Sequence, residues 1–328
     1  MSSNHRPRLA ITLGDVRGIG PEIILKAAAS RDVRSSADLV IVGPENAGVD
    51  VDERTGSWST PGDAANAGRF AGRAIERAVV LALEGVVDGI VTAPLDKAAL
   101  LAGGYWYPGH TEMLAALTGR KVAMMLAATR PAVGSVNPLR VVLATTHLPL
   151  RDVPAALTRA TIVDAATVTR SGLQAWFSIA EPRIALCALN PHAGDGGRFG
   201  REDDELLRPA AEEAGISGPF SADTVFVRAM RGEFDAVVAP YHDVGMTAIK
   251  VASFGGAVNV TLGLPFPRCS PDHGTALDIA GKGLADPSSM IEAIVLCARI
   301  ARTTGRGTRA PDSGGRLNSI SSTLVPRT

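Results

Sequence analysis

Short apolar segments alternate with longer helix-like stretches along most of the chain, and this alternation restricts the possible folds more than any other feature of the sequence. Strands buried on both faces read as short continuous apolar runs, and helices connect such strands in α/β proteins. Strands are predicted at eight places: Leu9–Leu13, Asp38–Val42, Gly89–Thr92, Val122–Ala127, Leu139–Ala144, Arg183–Ala188, Ala236–Ala239 and Val258–Leu262. Helices are predicted over Pro21–Ala29, Ala64–Leu83, Pro154–Arg170, Glu202–Ala214 and Pro287–Arg302. The pattern predicts an α/β fold in which crossover helices join parallel strands.

Length and composition exclude several classes of partner. The 328 residues are enough for two lobes. Lys plus Arg and Asp plus Glu both total 33, and no basic run follows the kind of pattern that binds a phosphate backbone, so nucleic acid is not an expected partner. No apolar run approaches the ~20 residues that cross a bilayer, so no membrane partner is expected. The three isolated cysteines, Cys187, Cys269 and Cys297, suit a reducing compartment, and we expect a cytoplasmic protein.

Three histidines follow predicted strands in the same way. His147, His192 and His242 each come a few residues after an apolar run, within a polar or proline-containing turn. Parallel strands end at one edge of a sheet, where α/β proteins bind their ligands, so the three imidazoles are expected to face one crevice. Three protein ligands with one open position are typical of a catalytic metal site. The alternative is that each histidine caps a turn, which for a single histidine is the more common role.

Other polar residues are candidates for binding an anion. The glycine-rich segment Gly14–Glu22 opens a helix, where backbone N–H groups can face an anion, although a tight turn explains it equally well. The segment Gly109–Glu112 has the same potential. Lysine and arginine suit a phosphate group, and Lys250 and Arg268 lie with Asn259 in a stretch dense in turn residues.

Eight ordered segments together resemble the 4-hydroxythreonine-4-phosphate dehydrogenase family, which includes dehydrogenases of four-carbon sugar-acid phosphates. They are GDVRGIGPE (14–22), TAPLDK (92–97), GHTE (109–112), ATTHLPL (144–150), LNPHAGDGG (189–197), GPFSADT (218–224), YHDVGM (241–246) and NVTLGLPFPRCSPDHGTALDIAGKG (259–283). The resemblance extends from about residue 9 to residue 302.

The resemblance implies an isocitrate/isopropylmalate dehydrogenase-like fold with two α/β lobes and a cleft between them. One lobe would comprise residues 1–110 with 260–302, the other residues 111–259 with the metal ligands and dimer contacts, and residues 303–328 would be a disordered tail. It also implies a homodimer whose active site is shared between subunits.

Family function is implied in the same way. The reaction would be NAD- or NADP-linked oxidation and decarboxylation of 4-phosphooxy-L-threonine to 3-amino-2-oxopropyl phosphate, with a divalent metal such as Zn, Co or Mg. Residues carried over from the motifs are His147, His192 and His242 for the metal; His110, Thr111, Lys250, Asn259 and Arg268 for the substrate, chiefly its phosphate; and Asp223 and Asp243 for catalysis. No residue is assigned to the nicotinamide cofactor.

Departures from the family pattern leave the substrate open. Val16-Arg17 stands where family members commonly have Pro-Ala, and one hypothesis is that Arg17 favours a hydroxyl over an amine beside the substrate carboxylate. The alternative substrate is then D-threonate or D-erythronate 4-phosphate. Two less favoured functions stay open: a metal-dependent hydrolase, because three histidines with an open position also suit water activation, and a sugar-phosphate binding protein without catalytic activity.

Overall fold

The computed structural model describes residues 6–59, 62–253 and 256–305. Eleven strands form one sheet: β1 (Arg8–Thr12), β2 (Asp38–Glu45), β3 (Glu53–Ser57), β4 (Gly89–Thr92), β5 (Ala123–Ala128), β6 (Arg140–Leu143), β7 (Ile184–Cys187), β8 (Ser217–Phe220), β9 (Ala236–Ala239), β10 (Ala257–Leu262) and β11 (Arg268–Ser270). Their spatial order is β3-β2-β1-β4-β11-β10-β5-β6-β9-β7-β8. The predicted α/β class is confirmed, and all eight predicted strands are present within one or two residues at most ends.

Helices connect most of these strands. Their bounds are α1 (Gly20–Ala29), α2 (Arg31–Ser36), α3 (Ala64–Leu83), α4 (Lys97–Ala102), α5 (His110–Thr118), α6 (Val153–Ala156), α7 (Arg159–Phe177), α8 (Arg208–Ala214), α9 (Ala222–Met230), α10 (His242–Ser253) and α11 (Ser288–Thr303). In the described part of the chain, no helix combines the length and apolar character of a membrane span.

Two of the predicted helices differ from the observed ones. The single helix predicted over Pro154–Arg170 is broken between α6 and α7, because the Thr158 hydroxyl accepts the backbone N–H of Thr161 and caps a new helix. The helix predicted from Glu202 begins with a π-helical turn, Asp203–Leu207, before α8. The predicted tail lies outside the described residues from residue 306 onward.

Strand direction divides the sheet into two parallel groups. Strands β3, β2, β1, β4 and β11 are parallel, as are β6, β9, β7 and β8. Between these groups, β10 is antiparallel to β11 and β5, and β5 is antiparallel to β6. The two groups therefore run in opposite directions, and the change occurs at the centre of the sheet. The division into the two predicted lobes stays a prediction.

Helices cover both faces of the sheet. On one face, α1, α7, α8 and α11 share a continuous apolar core with the strands. On the other face, α3 and α5 cover the first group of strands, and α9 and α10 cover the second. This second layer is built around two separate apolar clusters, and a cleft opens between α5 and α10 above the central strands.

Candidate active site

A cavity of about 350 Å³ occupies the cleft between α5 and α10. Its floor includes Met124 and Leu126 of β5 and Asn259 of β10, and its walls come from the segments that follow β4 and β6. Titratable or polar side chains dominate the lining: Thr92, Lys97, His110, Thr111, Glu112, Thr146, His147, His242, Asn259, Arg268, Ser270, Asp272 and His273. The cavity therefore offers many polar contacts to a small ligand.

Arg268 is the most deeply buried charged side chain in this cavity, with 1% of its surface exposed. Its Nη1 donates to the Thr261 hydroxyl at 2.9 Å, and its Nη2 donates to the Thr92 hydroxyl. Its Nε has no hydrogen-bond acceptor, and no ion pair among the described residues includes it. Burial lowers the pKa of Arg268 from its ordinary value to about 10, so the guanidinium still carries its charge at neutral pH. Two hydroxyls thus hold in place a cation that, in the described part of the chain, has no carboxylate within ion-pair distance, although the charge of Glu112 acts on it from further away.

Three further polar atoms around the cavity are buried and have no hydrogen-bond partner. They are Nε2 of His110, Oδ1 of Asn259 and Nε2 of His273. Burial, and then the nearby charges of Arg268 and Lys97, hold the pKa of His110 well below its ordinary value of 6.5, so this imidazole is neutral. Buried polar groups are rarely left unbonded, and a set of them beside a cation indicates a missing polar ligand.

His110 is also the first residue of α5, whose N-cap Gly109 provides no side-chain acceptor. Thr111 and Glu112 follow in the first turn, and both line the cavity. The positive end of the helix dipole and the N–H groups of a first turn attract anions. The start of α5 and the guanidinium of Arg268 therefore both favour binding of the same anionic group in this cavity.

The rings of His147 and His242 lie close together on another wall of the cavity, with their centroids 5.3 Å apart. Nδ1 of His242 lies 2.7 Å from Oδ1 of Asp243, which fixes the ring and leaves Nε2 for another partner. Burial lowers the pKa of His147, and the charge of Lys97 lowers it further. Two imidazoles, one of them held in a fixed orientation, are suitable metal ligands.

His192 does not line this cavity. It lies in a neighbouring pocket with Asp223, Tyr241 and Val244, and Tyr241 also borders His147 and His242. Within the described residues, no group of three His, Cys, Asp or Glu side chains could hold a metal ion. The three-histidine metal site therefore stays a prediction, with two of its three imidazoles together in one chain.

A buried carboxylate fixes the segment that carries His192. Asp203 is fully buried and accepts the backbone N–H groups of Leu189 at 2.8 Å and Asn190 at 3.0 Å. The chain then continues in left-handed conformation, with φ of 53° at His192 and 55° at Ala193. This conformation costs energy for residues other than glycine, and persists where the surrounding structure imposes it.

The remaining predicted residues divide between the cavity and its surroundings. Thr111, Asn259 and Arg268 line it, whereas Lys250 is outside it and pairs with Asp272, with Nζ and Oδ2 3.6 Å apart. The titratable cavity residues that were absent from the predicted set include Lys97, Glu112, Asp272 and His273. Lys97 comes five residues after the end of the predicted strand Gly89–Thr92, in a proline-containing segment, and this position is the signal that would have found it.

The segment Gly14–Glu22 forms a tight turn. Its N–H groups at residues 15, 17, 18 and 19 are bonded within the protein, two of them to Asp15. The Arg17 side chain makes a bidentate contact with the buried Asp15 carboxylate and a further contact with Asp96, and it does not line the cavity. The tight-turn interpretation is therefore favoured over an anion site, and a role of Arg17 in substrate choice stays a hypothesis.

The known proteins to which this chain is similar include members of one family. A model of the family described as pyridoxal phosphate biosynthetic protein PdxA matches residues 22–297. The chain is similar to 4-hydroxythreonine-4-phosphate dehydrogenase from Geobacter metallireducens, with 41% identity over 94% of this chain and 99% of the relative. It is similar to D-threonate 4-phosphate dehydrogenase from Cupriavidus necator to the same degree, 41% over 91% of this chain and 98% of the relative. Overall identity does not separate the two activities.

Solved structures agree with this grouping. The crystal structure of 4-hydroxythreonine-4-phosphate dehydrogenase from Klebsiella pneumoniae matches with a TM-score of 0.78 and 38% identity, over 90% of this chain and 99% of that one. Isocitrate dehydrogenase from Methylococcus capsulatus matches with a TM-score of 0.50 and 16% identity, over 92% and 88%. The second likeness concerns the fold alone, and it confirms the predicted isocitrate dehydrogenase-like architecture.

Proposed function

The chain belongs to the family of the pyridoxal phosphate biosynthetic protein PdxA, and we propose that it oxidises the C3 hydroxyl of 4-phosphooxy-L-threonine with NAD or NADP as hydride acceptor. Loss of CO₂ from the resulting ketone gives 3-amino-2-oxopropyl phosphate. The observation that carries this proposal is the buried, unpaired guanidinium of Arg268 with unbonded polar atoms around it, in the same cavity as the His147–His242 pair.

The phosphate is assigned to the side of the cavity that contains Arg268. A guanidinium is well suited to phosphate, and the free Nε of Arg268 has no other acceptor. The first turn of α5 adds the Thr111 hydroxyl and the imidazole of His110. Asn259 lines the same wall. These neutral groups can bond phosphate oxygens without adding a charge that would have to be buried when the ligand is absent.

The divalent metal is assigned to His147 and His242, with His192 as the third ligand. Imidazole nitrogen suits Zn and Co, whereas Mg prefers oxygen, so the donor chemistry fits the first two better. When bound, such a metal polarises the hydroxyl and later ketone oxygen of the substrate. Asp243 acts through His242 by orienting its ring. Asp223, beside His192, is the proposed proton acceptor.

The proposed assembly is a homodimer in which the second subunit completes the site. It would account for the position of His192 and Lys250 outside the cavity of one chain. The three cysteines are free and buried, which suits the cytoplasm as the proposed location.

D-threonate 4-phosphate is the second candidate substrate. The 41% identity to the Cupriavidus necator enzyme equals that to the Geobacter metallireducens enzyme, so it supports this substrate as much as the first one. The two candidates share the phosphate, the hydroxyl and the carboxylate, and they differ at C2, where one has an amine and the other a hydroxyl. The same cavity therefore serves both.

The test is a spectrophotometric assay of purified protein with both acids, NAD or NADP, and added Zn, Co or Mg. Substrate-dependent reduction of the nicotinamide that chelator abolishes and metal restores is expected, and the ratio of kcat/KM between the acids identifies the substrate. Phosphate release without nicotinamide would instead indicate a hydrolase. Binding of both acids with no turnover under any of these conditions would indicate a binding protein.

A further inference from the structure

Lys97 is a cation of the cavity that the assignments above do not use. It is the first residue of α4, directly after the segment that follows β4. The Asp96 carboxylate accepts the N–H groups of Ala98 at 2.8 Å and Ala99 at 3.3 Å, and this cap fixes the direction in which the helix leaves the strand. The Lys97 side chain is exposed and lines the cavity.

The end of this side chain lies beside the start of α5. A Cβ atom added at Gly109 would be 3.6 Å from Cε of Lys97 and 3.4 Å from Oε2 of Glu112. Among the described residues, no ion pair within 4.0 Å includes Lys97, although Glu112 is nearby. The ammonium group is therefore available to an anionic ligand.

Lys97 lies within electrostatic reach of both parts of the site. Its charge lowers the pKa of His110, which neighbours Arg268, and it also lowers the pKa of His147, which pairs with His242. The three cavity groups, Arg268 with His110, the imidazole pair and Lys97, thus surround one space.

The proposed substrates carry three groups that need separate partners. Phosphate is attached at C4, the reacting hydroxyl at C3, and the carboxylate two bonds from C3, so the three branch around one short carbon chain. With phosphate at Arg268 and the hydroxyl at the imidazole pair, the carboxylate still lacks a cation. We propose that Lys97 binds the carboxylate that the reaction releases as CO₂, an inference that rests on the proposed function.

The residue type fits this role. An exposed, flexible ammonium holds a carboxylate less rigidly than a guanidinium held by two hydroxyls. Once CO₂ has left, the subsite no longer contains a negative charge, and the product has lost its contact with Lys97. Because the carboxylate keeps its charge during hydride transfer, Lys97 binds substrate and transition state of that step similarly and affects KM more than kcat.

The test uses zinc-loaded protein and two probe ligands, 3-phosphoglycerate and glycerol 3-phosphate, which share the phosphate and differ in the carboxylate. Calorimetry gives their Kd values for wild type, Lys97→Met, Lys97→Arg and the control Lys121→Met, which removes a surface lysine paired with Asp164 at 2.8 Å. We expect Lys97→Met to weaken the binding of 3-phosphoglycerate at least fivefold and the binding of glycerol 3-phosphate less than twofold. Lys97→Arg should restore most of the affinity, and the control should match wild type.

Three results would overturn the inference. Equal weakening of both ligands would assign Lys97 to the phosphate, and a change below fivefold for 3-phosphoglycerate would remove it from the carboxylate. With the acid that wild type oxidises, Lys97→Met should raise KM at least fivefold and leave kcat within threefold, whereas a lower kcat at unchanged KM would contradict a binding role. Failure of wild type to bind either probe or to reduce nicotinamide would count against the proposed function instead.

Discussion

Replacing Arg268 with methionine should stabilise the free protein and remove its response to phosphate. Burial lowers the pKa of this arginine from its ordinary value to about 10, and at about 1.4 kcal/mol per pH unit the difference corresponds to about 3 kcal/mol against the charged form. The folded protein carries this cost at pH 7, because pH 7 is below both values. The two hydrogen bonds to Thr92 and Thr261 offset about 1 kcal/mol each. Arg268→Met should therefore raise the free energy of unfolding by about 1 kcal/mol.

Urea unfolding at pH 7, with and without inorganic phosphate, measures both parts of this prediction. Without phosphate, Arg268→Met should have the higher free energy of unfolding. With phosphate at a hundred times its Kd, the free energy of unfolding of wild type should rise by about 2.7 kcal/mol, and that of the variant should not change. Binding would then reverse the order of stability, because the anion neutralises a charge that the empty site leaves unpaired.

Arg140→Met is the matched control. Arg140 is also largely buried with a pKa lowered by burial, but its Nη1 donates to the backbone oxygen of Asp235 and it does not line the cavity. This variant should keep the full response to phosphate. An Arg268→Met protein that is less stable than wild type without phosphate, or that still gains stability from it, would refute the reasoning.

Three further predictions concern groups around the site. The pKa of His110 is held well below 6.5, so only the unfolded chain binds this proton as the pH falls. Between pH 7 and 5.5, the free energy of unfolding in urea should therefore fall by about 1 kcal/mol more for wild type than for His110→Asn. Equal decreases would contradict this prediction. Asp203→Ala should cost about 2 to 4 kcal/mol by leaving two buried N–H groups unbonded, whereas exposed Asp204→Ala should cost below about 1 kcal/mol; similar costs would be the contrary result. Asp243→Asn should weaken zinc binding about 10- to 100-fold in a dye competition titration, because His242 loses its orienting carboxylate, and unchanged affinity would argue against that role.

The strands that could be predicted are those with apolar runs. Strand β4, buried at all four residues, was predicted with its observed bounds. The three missed strands lack such runs: β3 (Glu53–Ser57) and β8 (Ser217–Phe220) lie at the two edges of the sheet, and β11 (Arg268–Ser270) has only three residues. Edge strands need few apolar residues because one side meets solvent, so periodicity does not reveal them.

The sequence also could not show which charged side chains pair with each other. Arg17 looked available to a ligand, yet its guanidinium is bound by Asp15, two residues earlier, and by Asp96, 79 residues later. Arg268 looked equally ordinary in its segment, and only the fold shows that it is buried without an acidic partner. A buried cation can bind an anionic ligand when no acidic side chain of the protein is close enough to pair with it, and this depends on contacts between distant parts of the chain.

The chain segments that follow the strands decide which of the three predicted metal ligands line the same cavity. The strands that precede His147, His192 and His242 are parallel, so the sequence correctly indicated one common edge. In space, however, β6 lies next to β9, and β7 comes one strand further away. Neighbouring strands are separated by about 4.8 Å. Strand β9 thus has β6 on one side and β7 on the other, so strand order alone does not keep His192 away from His242. His192 lines a neighbouring pocket, on a segment that Asp203 holds and that continues in left-handed conformation, and these local contacts cannot be read from the sequence.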